Sequence, residues 1–285
     1  MTHIFTNTDL FRIINEYTDL RNLCDTGSLL STLKKYINYK LNKKYSLMYY
    51  DDILFRNNIF SKIFNPCKQL HINLRNCQNI TDKGLEYLKG INTLDISWCK
   101  NITDKGLEYL KGIHTLEISD CENITDKGLE HLKGINTLDV CSCEKITDKG
   151  LEYLKGIHTL NISDCEKITD KGLEHLKGIN TINISGCENI TDKGLEYLKG
   201  IHTLYILRLP YILRCENITD KGLEHLKGIN TLYIWNCENI TDKGLEHLKG
   251  INMLYIRNCK NITDKGLRYL RNSGSKITKN KKLFI

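Results

Sequence analysis

Proline is nearly absent from this chain, with two in 285 residues, so the backbone has few forced breaks and regular structure can run on for long stretches. No CxxC pair occurs among the twelve cysteines, which removes the commonest spacing of zinc ligands and of thiol exchange. Cys141 and Cys143 come closest, but their CSC spacing on a strand turns the two thiols to opposite faces. Long apolar runs are missing too, with neither a signal-like segment nor a membrane span. A soluble intracellular protein with reduced thiols is the expectation. The chain also offers no nucleophile–base pair, no phosphate-binding glycine loop and no metal-ligand cluster. An enzyme is therefore not expected, and neither is a cofactor or a metal.

What is present is a repeat. Cys77, Cys99, Cys121, Cys143, Cys165 and Cys187 are spaced 22 residues apart, Cys215 follows after 28, and Cys237 and Cys259 resume the 22-residue step. The extra six residues lie in YILRLPYILRC, Tyr205 to Cys215, where a six-residue block reads as a tandem copy. Fixed self-similarity of this length is the mark of a solenoid, whose units bury their faces only against each other.

One unit, Ile91 to Gly112, reads INTLDISWCKNITDKGLEYLKG. Leu94 and Ile96 alternate as on a short strand, Thr103 and Asp104 provide oxygens suited to a helix N-cap, Leu107 and Leu110 share a helical face, and Gly112 stops the helix. The expected unit is strand, turn, short helix, turn. Stacked units would form a parallel sheet on one side and a row of helices on the other.

These strings carry a resemblance. LxxLxLxxC followed by I-T-D-x-G-L-x-x-L, in nine in-phase copies over residues 69–270, resembles the cysteine-containing leucine-rich repeats common in F-box proteins, although the 22-residue unit is shorter than usual for that class. The resemblance implies an α/β leucine-rich-repeat solenoid, a horseshoe with strands on the concave face and short helices on the convex one. It also implies that the nine repeat cysteines are small inward side chains set against the next turn's backbone.

Other recurrent residues have plain readings. The NIT sequons at Asn79, Asn101, Asn123, Asn189, Asn217, Asn239 and Asn261, and NIS at Asn161 and Asn183, multiply because one unit was copied, and imply no glycosylation without a secretory route. LEYL with IHTL alternates with LEHL and INTL, a 44-residue pairing that sets His131 and His175 two coils apart. At strand-like spacing that is about 10 Å, too far for one metal ion. His225 and His247 occupy the helical side with no evident carboxylate partner in the sequence.

The informative positions are those where near-identical units differ. Between the two buried strand residues stand Asn73, Asp95, Glu117, Asp139, Asn161, Asn183, Tyr205, Tyr233 and Tyr255. Two places on stand Arg75, Ser97, Ser119, Cys141, Ser163, Ser185, Leu207, Trp235 and Arg257. Both rows are expected on the concave face, which turns from acidic (Asp95, Glu117, Asp139) to aromatic. Tyr205, Tyr233, Trp235, Tyr255 and Arg257 are residue types that anchor interfaces, and with the three acids they form the candidate partner-binding set. The six-residue copy near 205–214 falls at this change of character. Pro210 favours a bulge or loop there over an added strand, either as a protrusion beside the patch or as a tolerated accident.

Charge is uneven. Residues 1–68 hold ten Lys/Arg against six Asp/Glu, residues 69–267 hold 25 against 28, and residues 268–285 hold six against none. An array that is not basic argues against nucleic acid as a partner. The basic stretch 271–285 reads as a solvated tail or a cap.

Residues 1–60 do not repeat. Leu10, Ile13, Ile14 and Tyr17 fall on one helical face, and LRNLC and SLLSTLKKYINYKL read as further amphipathic helices. The string DLFRIINEYTDLRNLCDT resembles an F-box, although the usual opening Leu-Pro is absent. By that resemblance Leu10, Ile13, Ile14, Leu20 and Leu23 would contact a Skp1-type adaptor. The other reading of the segment is a helical cap over the first coil. Two functions are thus expected: a substrate-recognition subunit of a cullin–Skp1 (SCF-type) ubiquitin ligase, or a stand-alone interaction scaffold. The Asn-, Ile-, Lys- and Tyr-rich composition fits an AT-rich genome, and similar F-box and repeat proteins occur in large DNA viruses, which would place the protein in a host cytoplasm or nucleus.

Overall fold

A computed structural model describes residues 39–40, 70–207 and 217–280. Its strands are β1 (Tyr39–Lys40), β2 (Leu70–Asn73), β3 (Thr93–Asp95), β4 (Thr115–Glu117), β5 (Thr137–Asp139), β6 (Thr159–Asn161), β7 (Thr181–Asn183), β8 (Thr203–Ile206), β9 (Thr231–Trp235), β10 (Met253–Arg257) and β11 (Lys276–Asn280). They form one parallel sheet in strict chain order. Leu94 lies opposite Leu116 and Ile72, and every later step from β3 to β10 keeps the same register. The expected solenoid is therefore the observed fold.

Each return path carries one helical turn: α1 (Asp82–Leu85), α2 (Asp104–Leu107), α3 (Asp126–Glu130), α4 (Asp148–Leu151), α5 (Asp170–Leu173), α6 (Asp192–Glu196), α7 (Asp220–Glu224), α8 (Asp242–Leu245) and the longer α9 (Asp264–Asn272). In several units the α-turn tightens into a 3-10 turn, as at Glu108–Leu110, which keeps both Leu107 and Leu110 buried. Isoleucine and leucine from the strands, the turns and the helices meet in one continuous core between sheet and helices. Isolated helices this short are unstable in water, so their helicity comes from that packing.

The coils are tied together through the I-T-D-K-G-L string. Thr103 has extended backbone angles, and its hydroxyl accepts from the Lys105 N–H as the N-cap of α2. The same threonine donates its own N–H to Asp82 Oδ1 at 2.8 Å and its hydroxyl to Asp82 Oδ2 at 2.6 Å, one unit back. This pair of bonds recurs at each junction through Asp242 and Thr263. It also explains a glycine inside each helix. A Cβ on Gly150 would lie 2.5 Å from Asp126 Oδ1, so the aspartate reaches its partners only because the helix has no side chain there.

The six-residue insertion leaves this ladder intact. Thr219 donates to Asp192 at 2.7 and 2.6 Å across it, and β8 pairs directly with β9, so no strand from the insertion intervenes between them. Residues 208–216 themselves lie outside the described residues, as do Leu10, Ile13, Ile14, Leu20 and Leu23.

A further strand stands at each end of the array. SLLSTLKKYINYKL was expected to be helical throughout, but Tyr39 and Lys40 pair in parallel with Leu70 and His71. An open sheet edge presents unpaired N–H and C=O groups, which a strand satisfies and a helix does not. At the other end Lys276–Asn280, within the supposed basic tail, is a further strand beside β10. Lys279 stands in register with Ile256, and its ammonium donates to the Ile262 carbonyl (3.2 Å) and to Asp264 (3.4 Å). It takes the place of the threonine that no tenth unit supplies.

Two outcomes follow for stability. Gly150→Ala should cost about 1–3 kcal/mol by forcing the Asp126 carboxylate off Thr147, whereas Gly156→Ala, at φ +82 with open space, should cost about 1 kcal/mol from backbone strain alone; urea denaturation of both variants checks the order. Burial raises the Asp242 carboxyl, but the Thr263 hydroxyl and N–H, the Gly266 N–H and Lys265 together outweigh it and hold the group below its ordinary value of 3.8. A carboxylate with a depressed folded pKa stabilises fully above its unfolded value and loses that contribution as pH falls through the folded one. Melting temperature should therefore fall below about pH 4, and Asp242→Asn should flatten part of that fall.

Candidate functional site

On the early strands, the outward residues are engaged by their own chain. Asp95 Oδ1 accepts the Ser97 N–H at 3.0 Å, Asp139 Oδ1 the Cys141 N–H at 2.9 Å, Asn161 Oδ1 the Ser163 N–H at 3.1 Å, and Asn183 Oδ1 the Ser185 N–H at 3.0 Å. This is an Asx turn at the end of the strand, and backbone bonds to the next coil continue past it, as from the Trp98 N–H to the Ser119 carbonyl. Lateral bonds tie the same groups together: Asn73 Nδ2 donates to Asp95, while Ser119 Oγ and Asn161 Nδ2 donate to Asp139.

Part of the candidate set is thus engaged by its own chain. Asp95 is 3% exposed and its carboxylate already holds two donors, so it serves the fold instead of facing a partner. Asp139 is half-buried and receives three donors. Glu117 lies opposite both of them in register and is half-buried. The serines two places on (Ser97, Ser119, Ser163, Ser185) were expected on the surface and are buried.

From β8 onward the outward residue is tyrosine, which cannot close an Asx turn. β9 and β10 continue for five residues, against three in β3 to β7, and carry Trp235 and Arg257 as their last residues. The strict register puts Tyr205, Tyr233 and Tyr255 side by side. Their rings stack with centroids 4.3 Å apart at each step and interplanar angles of 11° and 1°. Each such pair adds about 0.5–1.5 kcal/mol beyond its burial. Stacked in this way the rings turn their edges outward instead of their faces. Burial, then the neighbouring phenols of Tyr205 and Tyr255, push the Tyr233 hydroxyl up to about 12, so it remains a neutral hydrogen-bonding group at any physiological pH.

Beside the stack, the Arg257 guanidinium lies 5.0 Å from the centre of the Trp235 ring. A shallow pocket opens there, lined by Tyr233, Trp235, Tyr255, Ile256, Arg257 and Thr278. The Arg257 Nε is buried and has no hydrogen-bond acceptor among the described residues. The five residues singled out in the aromatic half are thus brought together into one surface, in contrast to the acidic half.

One aromatic escaped the sequence reading. The residue before each described repeat cysteine adopts positive φ and is Asn, Asp, Ser or Gly, except at Trp98 (φ +65), which is 44% exposed. Comparing copies at that column, as was done for the strand columns, would have found it.

The repeat cysteines behave as expected in burial and differ in direction. Each described thiol from Cys99 on reaches back to a carbonyl of the preceding coil instead of forward to the next, as Cys99 to Leu74 (3.3 Å) and Cys165 to Val140 (3.3 Å). Burial pushes Cys99 up to about 11 and Cys121 up to about 12, and raises Cys143 and Cys165 as well. Cys141 differs: it is half-exposed in the turn after β5.

The histidines carry a further correction. His175 Nε2 lies 3.7 Å from Glu152 and His247 Nε2 3.6 Å from Glu224, each glutamate belonging to the preceding coil. In the alternate units a tyrosine takes a lysine instead, as Lys133 over Tyr153 at 4.9 Å. The 44-residue alternation is thus a pattern of contacts between neighbouring coils. No group of three or more potential ligands is placed to hold a metal ion among the described residues. Several sequon asparagines are likewise structural, since Asn101, Asn123, Asn189, Asn217 and Asn261 donate their amides to carbonyls of the coil before.

Known proteins agree with this architecture. Residues 70–89, 91–111, 113–133, 157–177 and 179–199 each match the family model for the leucine-rich repeat. Among solved structures, the yeast Rad7 and Elc1 complex includes a similar chain at 15% identity and TM-score 0.50, with 75% of this chain and 68% of that one covered. The Toll–Spatzle complex of Drosophila includes another at 13% identity and TM-score 0.53, with 78% of this chain covered but 30% of that one. At these identities the likeness is one of fold. No curated protein matches the chain.

The thiols give a direct check on the geometry. With a short pulse of iodoacetamide at pH 8, Cys141 should be alkylated in the folded protein while Cys99, Cys121, Cys143 and Cys165 resist, as read by peptide mass spectrometry. Equal labelling of all five would show that the coils open far more readily than this packing implies.

Proposed function

We propose that this leucine-rich-repeat solenoid is a protein–protein interaction module, and specifically the substrate-recognition subunit of an SCF-type ubiquitin ligase. The observation that carries the binding half of this reading is the aromatic surface of Tyr205, Tyr233, Trp235, Tyr255 and Arg257. In a stack of near-identical coils, these are the outward residues of longer strands that are not consumed by Asx turns. Tyrosine, tryptophan and arginine in one patch are the residue types in which binding energy concentrates.

The adaptor half rests on the resemblance of DLFRIINEYTDLRNLCDT to an F-box, with Leu10, Ile13, Ile14, Leu20 and Leu23 as the contacts to a Skp1-type partner. Yeast Rad7, of similar fold, forms a complex with Elc1, which supports a repeat array of this fold in the company of a protein partner. In this reading the chain binds and positions while other subunits catalyse ligation, and it works inside a cell, a host cell if its origin is viral.

A pull-down with a Skp1-type adaptor tests it. The intact chain should retain the adaptor, and an Ile13→Asp, Leu23→Asp double variant with an unchanged circular dichroism spectrum should lose at least about tenfold in affinity, since two buried apolar contacts are replaced by charge. A folded chain that ignores the adaptor would leave the N-terminal segment as a cap and the protein as a stand-alone scaffold.

A further inference from the structure

The pocket at the β9–β10 end of the concave face has a chemical asymmetry. Its donors have no matching acceptor. The Arg257 guanidinium carries five N–H donors and no acceptor, and its buried Nε meets no acceptor among the described residues. None of the outward residues of β8, β9 and β10 (Tyr205, Tyr233, Trp235, Tyr255, Arg257) is acidic, so no carboxylate of these strands fills that place. That Nε is closed to solvent, so a ligand would meet the guanidinium through its outer Nη groups, whose charge no acidic residue of these strands balances.

We infer that this pocket takes a carboxylate, the Asp or Glu side chain of an extended acidic segment on a partner protein, with the segment crossing the outward edges of the tyrosine stack. The inference rests on the concave face being the target surface. The guanidinium is planar and lies over Trp235, which fixes its orientation and leaves its fork of N–H groups able to meet both oxygens of a carboxylate. Tyr233 and Tyr255 line the same pocket.

The wider field points the same way. Among the described residues from Arg268 on, Arg268, Arg271, Lys276 and Lys279 are basic, Lys279 being paired with Asp264, and none is acidic, whereas Asp95, Glu117 and Asp139 lie on the early strands. An acidic segment would be drawn to one end and repelled by the other, which fixes its position along the groove. A basic segment would meet the reverse pattern and leave Arg257 without a counter-charge.

The test is a titration of the full 15N-labelled chain with acetylated, amidated hexaglutamate, hexaglutamine and hexalysine peptides, following the Arg257 Nε–H and Trp235 indole N–H signals. The signals are assigned by their loss in Arg257→Gln and Trp235→Phe. Hexaglutamate should move both signals saturably, hexaglutamine should bind at least about tenfold more weakly, and Arg257→Lys, which keeps the charge without the fork, should fall between wild type and Arg257→Gln. Unchanged amide signals in β3 to β7 show that the variants fold. If hexaglutamine matches hexaglutamate, the face binds extended chains without reading carboxylates; the inference then fails and the target-surface reading stands. If no peptide moves any concave-face signal, both fail. Shifts spread over all surface lysines without saturation would mark general charge attraction and overturn the pocket.

Discussion

The structure hangs on one hydrogen-bonded joint, the aspartate of each coil gripping the threonine of the next through both its N–H and its hydroxyl. Bonds to an ionised acceptor are worth about 1.5–3 kcal/mol each, more than the neutral bonds of the short strands beside them. The threonine caps its own helix with the oxygen whose proton it gives away, so the capping of one turn and the docking of the next are a single event. A coil cannot form its helix correctly without also being in place on its neighbour. The internal glycine belongs to the same joint, since only a residue without Cβ admits the carboxylate.

A joint of this kind requires the same residues at every step, which accounts for the near identity of the I-T-D-K-G-L strings on physical grounds. It also locates the freedom in the sequence. The insertion between β8 and α7 leaves the joint between Asp192 and Thr219 at the same distances as its neighbours. Loop length is thermodynamically mild, rising only with the logarithm of residue number, whereas a misplaced aspartate leaves a half-buried charge without its donors.

Much of this was legible in the sequence because the relevant signals are periodic. The spacing of Leu94, Ile96, Cys99, Leu107 and Leu110 gives strand, turn and helix directly, and repetition turns weak local propensities into a firm architecture. What could not be read was direction and satisfaction. Asp95 and Tyr233 occupy equivalent places, yet one folds back onto the N–H two residues on and the other stacks on its cross-strand neighbours. An alternation rule knows which face a side chain leaves from, not whether its polar atoms are already taken. The histidine alternation was opaque for a related reason: its partners, Glu152 and Glu224, are glutamates of the coil before, 23 residues away, and match no local pattern.

The two halves of the concave face are therefore different materials. In β3, β5, β6 and β7 the outward Asp or Asn accepts the N–H two residues on, and Ser97, Ser163 and Ser185 are buried beside it. A partner approaching Asp95 or Asp139 meets a carboxylate that already holds donors from its own chain, and gains little by replacing them. Tyrosine has no oxygen within reach of its own turn, and β8 runs one residue, β9 and β10 two residues, beyond the three of β3 to β7, so that Trp235 and Arg257 stand within their strands. The change from Asn183 to Tyr205 replaces a hydrogen bond to the chain's own backbone with a ring that stacks on Tyr233. The outward side chain thus decides whether a coil satisfies itself or leans on its neighbour, and the proposed binding surface falls where the repeat is least regular.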